Sequence, residues 1–185
     1  QWPRGTERRH FRGVRAAESV EWFARQFPIP EHVVSSLARF QTFTDVRRAV
    51  VDWPLFGPWI AFKIADMLEA VLGHPISFPM DVLTWYTEPA KGAELVACEL
   101  ALPNATAAIT SLLAHPWKTS APPRYARPIG VQEVETILCK FKAHRHGHYA
   151  VGKDLREVRH ALARAPSSWL TQRLLSALPS LVGMS

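Results

Sequence analysis

The chain has 185 residues, 48% of them hydrophobic, which is enough apolar side chain to bury a core and excludes wholesale disorder. Lys and Arg number 22 against 16 Asp and Glu, a formal charge of +6 that permits a polyanionic partner without demonstrating one. The 2 cysteines, Cys98 and Cys139, exclude a disulfide framework and read as reduced thiols.

The chain opens on Gln1 rather than Met, so upstream residues are expected to be missing, and no signal peptide is visible. Residues 1–15 form a basic arm. Its arginines Arg4, Arg8, Arg9, Arg12 and Arg15 stand among Trp2, His10 and Phe11, a mixture that can hold phosphates and stack bases. The ordinary alternative is a solvated charge run at a terminus.

Fifteen prolines then cut the chain into short helical stretches, and no strand-like alternation competes. Residues 16–26 are expected to be helical, with Val20, Phe23, Ala24 and Phe27 inward. Residues 31–40 repeat the pattern with Val33, Val34, Leu37 and Phe40. Residues 44–51 start with Thr44 as N-cap and Asp45 in the first turn. Residues 57–72 are the clearest helix, with Pro58 at its first position, Gly73 at its end, and Ile60, Ile64, Met67 and Val71 as the core stripe. A short aromatic segment, 79–85, follows. Helices are then expected over 90–102, 105–113 and 132–141, the last with Val134, Ile137, Leu138 and Phe141 inward. Residues 118–127 and 144–152 read as loops. Helices over 154–164 and 167–178 close the chain, the second capped by Ser167. The reading is one all-α domain over 1–185. The longest stretch without acidic or basic residues, 100–117, holds Pro103, Asn104 and His115, so no membrane segment is expected.

Two further constellations could carry chemistry. In the first, FGPWIAFKIADML (56–68), a Gly-Pro turn opens a helix with Trp59, Lys63 and Asp66 on one flank. The N–H groups at Gly57 and beyond could hold a phosphate. Phe78-Pro79-Met80-Asp81 follows. This order resembles the helix-hairpin-helix DNA glycosylases, where a Pro-x-Asp segment carries the catalytic aspartate. The hairpin here has one glycine where that family has two or three, and no lysine nucleophile is obvious in it. The plain alternative is an ordinary helix start, with Asp81 capping the next helix.

In the second, residues 134–162, helical spacing sets Glu135, Cys139 and Lys142 on one stripe. Lys140 and Lys142 beside the thiol would favour its thiolate, and Glu135 could take a proton from an amine. His144, His148 and Lys153 follow in a glycine-containing loop that could cradle phosphate. Against this, Cys139 could be a small buried hydrophobe and the lysines a solvated face. The alternating histidines lack a second ligand cluster, so no metal is expected. The phosphate-binding P-loop, the nucleophile elbow, the His-Glu-x-x-His motif and the dinucleotide fingerprint are all absent.

LFGPWIAFKIADMLEAVLG, FPMDVLTWY and VETILCKFKAHRHGHYAVGKD, in that order and with the arm GTERRHFRG, resemble the α-glutamyl/putrescinyl-thymine pyrophosphorylase family of bacteriophage amino acid:DNA transferases. The resemblance covers nearly the whole chain. It implies a helix-hairpin-helix glycosylase-like helical fold and a reaction on DNA carrying phosphorylated 5-hydroxymethyluracil. An amine displaces phosphate or pyrophosphate from the base methylene; glycine is favoured, with other amino acids or polyamines as alternatives. It further implies a functional link to a 5-hydroxymethyluracil DNA kinase and action in the cytoplasm of the infected host, with no cofactor and no membrane partner.

Asp81, Glu135, Cys139, Lys140 and Lys142 are the catalytic candidates. Arg9, Arg12, Gly57, Lys63, His144, His148 and Lys153 are the phosphate or DNA contacts. Either the Cys139 thiolate adds to the pyrimidine ring and expels the phosphate, or the amine displaces it directly with Glu135 or Asp81 as base. Base flipping is expected, with Trp59, Trp85 or Tyr149 stacking or filling the gap. The competing readings are a helix-hairpin-helix DNA-binding module without activity, a glycosylase working through Asp81, and a scaffold.

Overall fold

The structure is a computed structural model, and it describes residues 14–121 and 127–178. The helices are α1 (Val14–Gln26), α2 (Pro30–Leu37), α3 (Phe43–Val50), α4 (Pro58–Ala70), α5 (Thr87–Glu99), α6 (Ala105–Ala114), α7 (Val131–Arg145), α8 (Lys153–Arg164) and α9 (Trp169–Ala177). A 3-10 turn, Val82–Trp85, lies between α4 and α5. Among the described residues there is no strand, only two isolated bridges, so the all-α expectation holds. The chain divides into two compact units at Lys142–Ala143.

Local chemistry sets the helix ends, and it shifts several expected ones. The cap of α3 is Thr42, not Thr44: its Oγ1 accepts the Asp45 N–H at 3.2 Å and donates to the Asp45 carboxylate at 2.7 Å. Moving the start back two residues lets Phe43 enter the core as a helical residue. The cap of α9 is Ser168, not Ser167, accepting from the Thr171 N–H at 3.1 Å. Helix α7 runs four residues past the expected end and takes in His144. Pro58 occupies the first turn of α4 as expected. At its other end Gly73 is left-handed, and the His74 N–H reaches back to the Leu68 carbonyl at 3.0 Å. In the turn between α3 and α4 the left-handed position is held by Leu55, at φ +66°. A leucine in this region is strained, at a cost of about 1 kcal/mol.

In the first unit the core gathers Phe43, Val46 and Val50 of α3, Ala61, Phe62, Ala65 and Leu68 of α4, Val82 and Leu83, and Val134 and Leu138 of α7. The stripe on α4 is rotated from the expected one. Met67 and Val71 are exposed, and Ile60 and Ile64 are half-buried. Ala61 and Ala65 let the helix approach its neighbours closely, while Phe62 fills the space, packed edge-on to Phe43, Phe78 and Tyr86. Val20 and Val34 likewise turn outward instead of inward. On α1, Ser19 is buried and donates to the Pro54 carbonyl at 2.8 Å. Beside it Phe23, Phe27, Trp53 and Phe56 form an aromatic cluster.

Helices α5 and α7 touch backbone to backbone at Gly92 and Leu138. A Cβ on Gly92 would lie 2.5 Å from the Leu138 carbonyl oxygen, so only glycine allows this approach. One turn away on the same faces, Lys142 of α7 pairs with Glu88 of α5. Gly92→Ala is therefore expected to lower stability by about 1–3 kcal/mol through overpacking, even though alanine is the better helix former. Chemical denaturation checks it, and an unchanged midpoint would remove the close contact from the account.

Candidate functional site

The site starts from two helix faces. On α4, Trp59, Lys63 and Asp66 share one flank, as the i, i+4, i+7 spacing requires. On α7, Glu135 and Cys139 are one turn apart. The fold brings the two faces together, and the Lys63 Nζ donates to Glu135 Oε2 at 2.7 Å. Glu135 is 3% exposed, so this bond stands in for the water its carboxylate has lost. The Lys63 ammonium in turn sits 4.9 Å from the Trp59 ring centre and 5.3 Å from that of Phe62. The Thr136 hydroxyl adds a donor to Oε2 at 3.3 Å.

Cys139 completes the group and corrects an expectation. Its thiol donates to Glu135 Oε1 at 3.1 Å. Burial first, then the Glu135 charge and this bond, push the thiol far above its ordinary value, and Lys63 only partly opposes them. The lysines expected to favour a thiolate do not do so: Lys142 is paired with Glu88, and Lys140, at the next position along α7, does not share the face of Cys139. The environment keeps this sulfur protonated.

One turn away lies a second rung of the same contact, and the sequence reading missed it. Gln132 of α7 donates its amide N–H to Glu69 of α4. Arg127 holds Glu133 with two bonds, at 2.7 and 3.1 Å, and its Nε comes within 3.8 Å of Glu69. Glu133 also accepts the Gly130 N–H at 2.9 Å, closing the start of α7. Burial raises the Asp66 and Glu69 carboxyls above their ordinary values; Lys63 near Asp66, at 3.8 Å, and Arg127 near Glu69 do not cancel it. This end opens on a cavity of about 570 Å³ whose walls include Phe78, Met80, Leu113 and Ile129. Such a volume is in the usual range for small-molecule sites. The Lys63, Asp66, Glu69 spacing was the available signal for this polar face.

The other expected residues lie elsewhere. Asp81 is exposed and stands before the 3-10 turn, where its Oδ2 accepts from the Trp85 indole at 3.3 Å; it is not bonded to the Lys63 group. Tyr86 ties that segment to the start of α4 by donating to the Pro58 carbonyl at 3.0 Å, and burial pushes its hydroxyl up to about 12. A Cβ at Gly57, which is half-buried at the start of α4, would meet nothing within 4 Å. Arg9 and Arg12 lie outside the described residues. In the C-terminal unit His144 bonds the Tyr149 carbonyl at 3.0 Å, His148 is exposed and stacks on His146, and Lys153 faces Glu157 at 4.0 Å. Among the described residues no His, Cys, Asp and Glu side chains gather in a metal-holding group, and no helix is long and apolar enough to cross a membrane.

The all-helical frame thus sets a buried carboxylate between an ammonium and a thiol. Comparison with known proteins gives the class its name: residues 1–149 match the amino acid:DNA transferase family, and the chain belongs to it. Among its relatives are a glycinyltransferase of Pseudomonas phage PaMx11, 37% identical over 97% of this chain and 70% of the relative. A putrescinyltransferase of Delftia phage PhiW-14 is 30% identical over 85% of this chain, which spans 53% of that relative's length.

Two outcomes follow from the charge pairing. Lys63→Met leaves a buried carboxylate without its ammonium and is expected to cost about 1–3 kcal/mol in urea unfolding, whereas Lys63→Met combined with Glu135→Gln recovers most of it. Equal losses in the single and double variants would mean that the pair carries no charge dependence. For Asp66, a folded value raised above the unfolded one means that the folded chain binds more protons, so stability falls as pH rises through the carboxylate range. Asp66→Asn is expected to flatten that fall and to raise the melting temperature at neutral pH. A melting curve parallel to wild type across pH would contradict it.

Proposed function

We propose that this chain joins an amine to DNA by displacing phosphate or pyrophosphate from phosphorylated 5-hydroxymethyluracil. Glycine is the favoured amine, with other amino acids or a polyamine as alternatives. The observation that carries the reading is the buried Glu135 held by Lys63 and Cys139, inside the segment that matches the transferase family. The names of the phage relatives, one for glycine and one for putrescine, support amines of both kinds. The whole chain, 1–185, acts as one DNA-modifying domain with a helix-hairpin-helix glycosylase-like ancestry. A kinase-type reaction must supply the phosphorylated base, and the reaction takes place in the cytoplasm of the infected host.

The protonated state of Cys139 favours direct displacement over the covalent route. A carboxylate, Glu135 or Asp81, takes a proton from the incoming ammonium. The freed nitrogen lone pair forms the C–N bond at the methylene as the C–O bond breaks, and the phosphate leaves with that electron pair. Basic groups neutralise the departing charge, with Arg12, Lys140 and the start of α4 at Gly57 as candidates, while Arg9, His144, His148 and Lys153 are candidate contacts to the DNA backbone.

The test is a mass spectrum of nucleosides from DNA containing phosphorylated 5-hydroxymethyluracil, after incubation with the protein and a mixture of amino acids and polyamines. A thymidine adduct with the mass of glycine is expected. Unchanged nucleosides, or a released free base, would overturn the reading. Cys139→Ala is expected to retain turnover, and its complete inactivity in a folded variant would restore the covalent route.

A further inference from the structure

Chemistry on a pyrimidine inside a duplex requires the base to leave the stack, and a protein side chain can stabilise the hole that remains. Three aromatic residues flank the candidate groups in sequence, and the structure separates them. Trp59 is half-buried under Lys63 and packed on Phe62 and Tyr86. Tyr149 is half-buried in the C-terminal unit. Trp85 is 46% exposed.

Trp85 is exposed yet fixed. Its indole N–H donates to Asp81 at 3.3 Å, its ring rests 6.1 Å from that of Phe43, and the Arg47 guanidinium lies 5.9 Å from its centre. A wedge needs this combination: an apolar plane open to solvent, backed by a buried ring and oriented before DNA arrives. Met80, next to Asp81, is 55% exposed while it also lines the 570 Å³ cavity, so it stands at the cavity's rim. The exposed plane and a room for an extruded base are thus joined through one short segment, Met80 to Trp85.

We infer that Trp85 fills the gap in duplex DNA when the target pyrimidine is extruded toward the cavity beside Met80, with Arg47 on a flanking phosphate. The inference rests on the reading above that DNA is the acceptor. It adds a positioning residue that acts on the duplex and not on the reacting methylene.

The experiment uses the full chain and a duplex with 2-aminopurine beside phosphorylated 5-hydroxymethyluracil, excited beyond indole absorption. Wild type is expected to raise the fluorescence as the stack opens. Trp85→Ala is expected to lose that rise and to lower amine transfer on the duplex by roughly tenfold or more, while transfer on the same single strand stays within about twofold. Trp85→Phe keeps the packing on Phe43 and a stacking plane, and recovers most of the duplex signal. A fold defect would depress single-strand and duplex transfer together, and Trp85→Phe then decides. The inference is overturned if Trp85→Ala opens the stack as wild type does, or if single-strand transfer falls as far as duplex transfer with the fold intact. A fluorescence rise in wild type, lost in Trp85→Ala, with no adduct from either, would sustain the wedge and sink the transferase reading alone.

Discussion

The ion pair between Lys63 and Glu135 is the contact around which the first unit is arranged. A carboxylate that is 3% exposed has lost its hydration and needs donors from the protein, and here the ammonium comes from a helix 72 positions earlier in the chain. That requirement fixes the rotation of α4: Phe62 and the two alanines go to the core, and Lys63, Asp66 and Glu69 turn toward α7. The lysine's own stem is accommodated by the faces of Trp59 and Phe62, so the same aromatic residues serve the core and the charge. Helix α7 is also pressed against α5, where Gly92 takes the Leu138 carbonyl without a side chain between them. Helix α7 is thus held by polar rungs to α4 and by a glycine contact and an ion pair to α5, which is how a buried carboxylate is kept at a fixed place.

Among the described residues, the cluster around this pair brings the carboxylates Asp66, Glu69, Glu133 and Glu135 together with Lys63 and Arg127. Burial is the largest cause that raises the Asp66 and Glu69 carboxyls, and the neighbouring carboxylates add to it while Lys63 and Arg127 oppose it.

Much of the architecture was legible because proline, glycine and cap chemistry are local. Pro58 and Gly73 bounded α4, and the i, i+4 spacing of Glu135 and Cys139 placed them on one face, as the 3.1 Å bond between them bears out. The misplacements share one cause: a helix's buried face is chosen by its neighbours. The apolar stripe Ile60, Ile64, Met67, Val71 satisfied periodicity, yet Ala61 and Ala65 won because small residues allow close approach. Thr44 and Ser167 were acceptable caps in isolation, but the burial of Phe43 and the geometry at Ser168 selected their neighbours. The Lys63–Glu135 and Arg127–Glu133 pairs were illegible for a different reason. Nothing local marks a partner 72 positions away, and Arg127 sat in a stretch that reads only as proline-rich loop.

The occupancy of Glu135 bears on how it would act as a base. Oε2 already accepts from Lys63 and Thr136, and Oε1 accepts from Cys139. To take a proton from an incoming ammonium, the carboxylate must exchange one donor for another. The thiol is the weakest of the three and therefore the one most easily displaced. Losing Lys63 would strip the charge partner from a buried group, and losing Thr136 would free a position that Lys63 already covers. On the proposed reading, then, Cys139 keeps Oε1 satisfied until the amine replaces it. That role needs only a small, weak, protonated donor one helical turn from the base, which the Cys139 thiol supplies. Asp81 presents the opposite geometry: it is open to solvent, and its Oδ2 accepts from the Trp85 indole.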